Sequence, residues 1–261
     1  MFYKLSTFGM FALAWMFLAS SCFGQQMRIE TEVLVGNSQE LASKSLTLFD
    51  DQMIYDFLFT SEADSNRFHL EEIVVFDRLG QSITLLDQQR KTKLTISHTD
   101  LLSMSAAMKA SEALRDKDLF LLEPVFEKTI DDNTKQLQLT SDRMNYHCRC
   151  ESVTDPKKLL SYFHFADWAA RLNVSDSRKM PPFARLILNE SLRKRGWIPL
   201  EVELDLLLPN SEKLRAKATH NRLEQLSQND QIRIQQAVNQ VREFKATSLT
   251  EYRNLESVSA R

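Results

Sequence analysis

Between Ile198 and Leu208 the chain carries Ile198, Leu200, Val202, Leu204, Leu206 and Leu208 at every second position, with Pro199, Glu201, Glu203 and Asp205 between them. A period of two fits a strand with one face in the core and the other in water. Aspartate at Leu204 is therefore expected to be far more damaging than lysine at Glu203, one residue away on the other face. Pro199 marks a strand beginning or an edge. The same period recurs upstream. Ile29, Thr31, Val33 and Val35 alternate with Arg28, Glu30, Glu32 and Leu34, and Met53, Tyr55, Phe57 and Phe59 form an aromatic face. Further runs at 68–77, 81–86 and 91–97 follow, the first two joined by the turn Asp77-Arg78-Leu79-Gly80. Links this short favour an antiparallel meander.

Helical signals sit between and after the strands. Residues 100–115 are rich in Leu, Met, Ala and Lys behind a cap at Thr99 or Asp100. Residues 121–130 and 135–150 read as strands, the second broken near Ser141-Asp142-Arg143. Asp155-Pro156 is a cap followed by proline at the first helical position, predicting a helix to about Asn173. Only a narrow wedge of it, holding Lys157, His164, Asp167 and Arg171, is polar. Such a helix is buried on most sides or lids an apolar space. A helix over 183–195 stops at Gly196, a strand over 214–222 follows, and Ser227 with Asp230 opens a last helix to about Phe244. No repeat, low-complexity linker or charge block divides the chain, which reads as one α+β domain over 25–261 with a helical extension from about 227 to 261.

Residues 1–24 have the order of a secretory leader: Lys4, an apolar run of about a dozen residues from Phe8, then Ala19, Ser20, Ser21 and Gly24. The run is shorter than the roughly 20 residues that cross a bilayer, so the expected location is periplasmic or secreted. Two cleavage sites are open. Cleavage after Gly24 releases a free protein, whereas cleavage before Cys22 leaves an N-terminal cysteine that a lipid can anchor to a membrane; Leu18-Ala19-Ser20-Ser21-Cys22 looks like a bacterial lipoprotein box.

Composition excludes several functions. The formal charge is −2, which offers no general attraction to nucleic acid or anionic lipid. Five glycines form neither GxGxxG nor GxxxxGK[ST], so no phosphate-cradling loop and no cofactor is implied. There is no GxSxG elbow. His147-Cys148-Arg149-Cys150 carries metal-type donors but lacks the second pair a zinc site needs, so no metal is expected. In a straight strand the two Cα atoms stand about 6.5 to 7 Å apart, at the outer limit for a disulfide, so both a Cys148–Cys150 bridge and a pair of thiols stay open. If the chain were an enzyme, His147, Cys148, Cys150, His164 and Asp167 would be its first candidates; the expectation is a non-catalytic protein. Asp50-Asp51 and Asp131-Asp132 lie between strands as turn formers, and Arg193-Lys194-Arg195 lies where a helix dipole favours cations.

Sixteen phenylalanines and the aromatic strand faces fit either a solid core or an apolar cavity. The order Thr47-Leu48-Phe49 into Met53-Ile54-Tyr55-Asp56-Phe57, a strand ending at Asp77, Ile83-Thr84-Leu85-Leu86-Asp87 before Arg90-Lys91-Thr92-Lys93, and Gly196-Trp197-Ile198-Pro199-Leu200-Glu201-Val202 resembles the periplasmic lipoprotein-carrier (LolA/LolB-like) superfamily over about 27–208. The resemblance implies an antiparallel, unclosed half-barrel lidded on one face by helices, holding a lipid or an acylated protein. Tyr55, Phe57, Phe59, Phe163, Phe165 and Trp168 are then the expected ligand-lining residues. The alternative is an envelope structural or interaction module with a filled core, recruiting a protein partner through the C-terminal segment; in that case deletion of 246–261 would leave stability unchanged.

Overall fold

The computed structural model describes residues 26–36, 40–61, 67–208 and 212–256. The leader and Cys22 lie outside them. Twelve strands form one sheet: β1 (Met27–Val35), β2 (Glu40–Asp50), β3 (Met53–Ser61), β4 (Phe68–Asp77), β5 (Ser82–Asp87), β6 (Thr92–Ser97), β7 (Glu127–Asp131), β8 (Gln136–Thr140), β9 (Met144–Ser152), β10 (Trp197–Leu207), β11 (Lys213–Leu223) and β12 (Lys245–Ala246). Their order is β12-β6-β5-β4-β3-β2-β1-β11-β10-β9-β8-β7, so the two end strands never meet and the sheet stays open. Every pairing is antiparallel except β12 on β6. The expected fold, an α+β chain built on an unclosed antiparallel sheet, is what forms.

Acidic residues make the turns. Asp77 Oδ1 accepts the Gly80 N–H at 2.7 Å, and a Cβ on Gly80 would lie 2.4 Å from Asp77 Oδ2. Asp87 accepts from the Arg90 N–H at 2.6 Å and Asp131 from the Asn133 N–H at 2.9 Å. Asp51, Gln81, Lys91 and Lys135 take the left-handed conformation that closes tight links. The Asp50-Asp51 and Asp131-Asp132 pairs are accordingly turn chemistry.

Among the described residues six α-helices flank the sheet: α1 (His98–Ala110), α2 (Glu112–Leu122), α3 (Pro156–Leu172), α4 (Phe183–Arg193), α5 (Gln228–Glu243) and α6 (Leu249–Glu256). The Asp155 cap, Pro156 start and Ser227/Asp230 capping box form as read. Three expectations need correction. Helix α1 starts two residues earlier, because Ser97 rather than Thr99 or Asp100 caps it, and it breaks at Ser111, which caps α2. The expected strand over 121–130 survives only as β7. Residues up to Leu122 are helical, the helix kinking at Asp118, whose carboxylate accepts from the Leu121 N–H and from Arg143. Strand β2, absent from the sequence reading, has no alternation to find. Leu46, Thr47, Leu48 and Phe49 are buried in succession because both faces are covered there.

That two-sided burial defines the layers. Strand residues such as Ile29, Phe49, Ile54, Val74, Phe76, Leu137, Cys148 and Val202 share one core with α1, α3, α4 and α6, on what is the inner face. The opposite residues of β2–β5, including Leu48, Tyr55, Phe57, Ile73 and Val75, pack against Ile234 and Ala237 of α5 on the outer face. After α5 the chain rounds the sheet edge as β12 and returns to the inner face as α6, where Tyr252 is fully buried. The edge of β6 is thereby covered rather than left open.

Candidate functional site

The inner face is fully packed at both wings and only half covered in the middle. Antiparallel partners share a face, so the register gives rows across the sheet. One row runs Leu58, Ser45, Thr31 and His220; the next Thr60, Ser43, Val33, Ala218 and Val202; the third Val35, Ala216, Leu204 and Tyr146. Small side chains recur at Ser43, Ser45, Thr31, Ala216 and Ala218. Leu58, Leu204 and Leu214 beside them stay half-buried, whereas Leu85, Leu137 and Met144 on the wings are fully buried. Bulges between Val33 and Leu34, between Leu58 and Phe59 and between Pro199 and Glu201 bend the strands around this middle zone.

The six expected lining residues do not share one surface. Tyr55, Phe57 and Phe59 pack on the outer face with α5. Phe163 is buried against Tyr162 at a ring separation of 5.1 Å, and Arg193 lies over its ring. Phe165 meets Phe49 and Phe76 edge-on at 5.7 and 5.2 Å. Trp168 stacks on His98 at 3.5 Å, joining α3 to the start of α1. Of the six, only the three on α3 belong to the inner side.

The first candidates for catalysis are also dispersed. Cys148 and Cys150 are free buried thiols on the inner side of β9, which stays extended through both, so the bridge left open above does not form. Burial pushes both thiols up to about 12, far from a reactive thiolate. His147, on the opposite side of the strand, approaches Glu203 at 3.8 Å. Asp167 is held by Asn189 at 2.9 Å and by Arg193, while His164 turns toward His98 and Trp168. Burial, then Arg78 and His98, holds His164 down to about 4. Among the described residues no group of three His, Cys, Asp or Glu side chains could hold a metal, and no helix is long and apolar enough to cross a membrane.

Asp56, which the sequence reading passed over, lies on the inner face between Thr47 and Val74. Thr47 Oγ1 donates to its carboxylate at 2.8 Å. Burial outweighs that bond and pushes the acid up to about 6. A raised acid favours the folded state fully below the unfolded value near 3.8 and loses that contribution as pH rises through 6. Relative to the wild-type protein, Asp56→Asn is therefore expected to gain stability between pH 4 and pH 8, by up to about 3 kcal/mol. Denaturant midpoints of both proteins across that range measure it, and a pH-independent difference would mean that the carboxyl titrates normally.

Residues on the helix side of the half-covered zone escaped the sequence reading as well. Arg185, the third residue of α4, lies near enough to Tyr162, Tyr146 and His220 for its charge to act on all three. His220 Nδ1 meets Thr31 Oγ1 at 2.9 Å, and its Nε2 is sealed from solvent without a hydrogen-bond partner. No local signal in the sequence marks His220, since Thr31 and His220 stand 189 positions apart and meet only through the pairing of β1 with β11.

No protein-family model matches the chain, and no curated protein matches it. Among solved structures, the chain is similar to a LolA superfamily protein from Nitrosomonas europaea, with 6% identity over 80% of this chain and 89% of that one and a TM-score of 0.32. The likeness is a weak fold-level resemblance, too loose to carry an argument about function, and the open-sheet architecture stands on the strand order itself.

Proposed function

We infer that the chain is a non-catalytic binding protein of the cell envelope or exterior, holding an apolar ligand or the acyl chains of a lipid-bearing partner between the inner sheet face and helices α1, α3 and α4. The observation that supports this reading is the middle of that face, where the small residues Ser43, Ser45, Thr31, Ala216 and Ala218 stay only half-buried while core residues on the wings are fully buried. Apolar side chains held only half-buried beneath helices gain about 25 cal/mol for each Å² that a ligand covers. The secretory order of residues 1–24 supports the location. A filled-core interaction module draws its support from the wings, where Phe49, Phe76 and Phe165 interlock.

One substitution separates the two readings. Ala218 lies between Val33 and Val202 in the middle of the zone. Ala218→Phe is expected to fill the space, weakening a fluorescent fatty-acyl probe at least about tenfold while the melting temperature stays within a few degrees. Lipid extraction and native mass spectrometry of the purified wild-type protein should show an acyl ligand. A protein that carries no lipid and binds no acyl probe is a filled module instead.

A further inference from the structure

Two histidines meet Trp168 where α1, α3 and the turn after β4 converge. His98, the first residue of α1, donates its backbone N–H to the Gln81 carbonyl at 2.8 Å and stacks its ring on Trp168 with centroids 3.5 Å apart and planes 11° from parallel. His164, one turn before Trp168 on α3, lies 5.8 Å from the His98 ring and 6.4 Å from the indole. From the turn after β4, Arg78 donates to Ser161 Oγ at 3.0 Å, one turn before His164. These ring contacts join the start of α1 to α3.

Neither imidazole is fitted to carry a proton there. The Nε2 atoms of His98 and His164 are both sealed from solvent without a hydrogen-bond partner. An imidazolium donates from both nitrogens, so in either tautomer protonation leaves a buried N–H with no acceptor. The carboxylates around the pair are engaged elsewhere. Asp77, in the turn after β4, accepts from the Gly80 N–H, Asp100 on α1 from Ser97, and Asp167 on α3 from Asn189 and Arg193 of α4. Asp56 on β3 is bonded to Thr47, and Asp176, beyond the end of α3, accepts from Arg178 at 2.9 Å and lies 3.8 Å from Arg253. Strands β6 and β10 contribute apolar residues such as Ile96 and Ile198 to this core. An indole attracts a cation, but Arg171 already lies 5.6 Å from the Trp168 ring. Burial outweighs Asp77 and holds His98 below its ordinary value, and burial, then Arg78 and His98, holds His164 down to about 4.

We propose that the contact of His98, Trp168 and His164 is an acid-sensitive clasp between α1 and α3, closed while both imidazoles are neutral and released when they take up protons. Two imidazolium rings 5.8 Å apart repel, and each orphaned N–H regains water once the helices part. A histidine held below its ordinary value in the closed form binds its proton on opening. The clasp is therefore fully favoured above about pH 6.5 and weakens as pH falls toward the closed-form values. Through His164 alone the equilibrium moves toward the open form by up to about tenfold for each pH unit between 6.5 and about 4. Helices α1 and α3 share the core of the inner sheet face, so release opens that face whether or not a ligand lies on it.

The test is amide hydrogen exchange of the full protein at pH 7 and pH 5, corrected for the intrinsic pH dependence of exchange, together with an NMR titration of the histidine ring protons. Protection of the first turn of α1 and the second half of α3 is expected to fall at least about tenfold between the two pH values, while β8 and β9 keep theirs. His98→Phe combined with His164→Phe keeps both rings but cannot titrate, and should remove the pH-dependent loss; His164→Phe alone should reduce it. Unchanged protection of α1 and α3 at pH 5 in the unmodified protein would overturn the proposal. So would His98 and His164 rings that titrate at their ordinary value while both helices stay protected. An equal loss in the double variant would assign the release to another group, such as Asp77, and overturn it as well. Loss spread evenly over β8 and β9 would be general acid unfolding and no clasp. Should the double variant not fold, the unmodified protein and His164→Phe still decide, since equal losses in these two count against the clasp.

Discussion

Tyr252→Ala is expected to cost about 3 to 5 kcal/mol, the range for removing a large buried aromatic side chain. Tyr252 is fully buried on the inner face, its hydroxyl donates to Glu72 at 2.7 Å, and Arg90 lies over its ring while also donating to its backbone carbonyl. Arg253 beside it donates to Ser175 at 3.0 Å, tying α6 to the turn after α3. Tyr252→Phe keeps the ring and removes only the bond to Glu72, a buried acceptor, so about 1 to 3 kcal/mol is expected from it. Helix α6 is thus part of the core, so a deletion of 246–261, which removes it, is expected to lower stability, contrary to the interaction-module expectation. Chemical denaturation orders the variants. Equal midpoints for wild type and Tyr252→Ala would mean that α6 is detached in solution.

What the sequence made legible follows from where each element sits in the layers. Strands with one wet face, such as β10 and β11, and helices with explicit caps, such as α3 and α5, could be read because local chemistry and tertiary placement agree. Strand β2 could not, because α5 covers its second face and erases the alternation at Leu46, Thr47, Leu48 and Phe49. The aromatic face of β3 was visible as Tyr55, Phe57 and Phe59, but periodicity says only that the three share a side. Which side depends on the late helix α5 arriving from more than 150 residues away. The candidate site suffers the same blindness more severely. Thr31 and His220 meet through strand order, and no local spacing joins them.

Leu206→Asp tests how far the clearest strand obeys its own period. Leu206 lies between Met144 of β9 and Leu214 of β11 and is 3% exposed. Losing its burial removes about 1.5 to 3 kcal/mol, and desolvating an unpaired carboxylate adds several more, enough to unfold a protein of ordinary stability. The six apolar residues of this strand are not equivalent, however. The bulge between Pro199 and Glu201 resets the pleat, so that Trp197, Ile198 and Pro199 are buried in succession while Leu200 is only half-buried. Leu204, opposite Ala216, is half-buried for a different reason, since it borders the uncovered zone. Leu204→Asp should accordingly be milder than Leu206→Asp, though still more damaging than Glu203→Lys. Glu203, on the outer side, pairs with Lys217 at 3.1 Å. Glu203→Lys exchanges that pair for a like-charge neighbour on an exposed surface and should cost less than about 1 kcal/mol. The expected order of denaturation midpoints is Glu203→Lys near wild type, Leu204→Asp below it and Leu206→Asp lowest or unfolded. Similar midpoints for Leu206→Asp and Glu203→Lys would mean that β10 does not present a dry face to the helices, and the space assigned to the ligand would lose its wall.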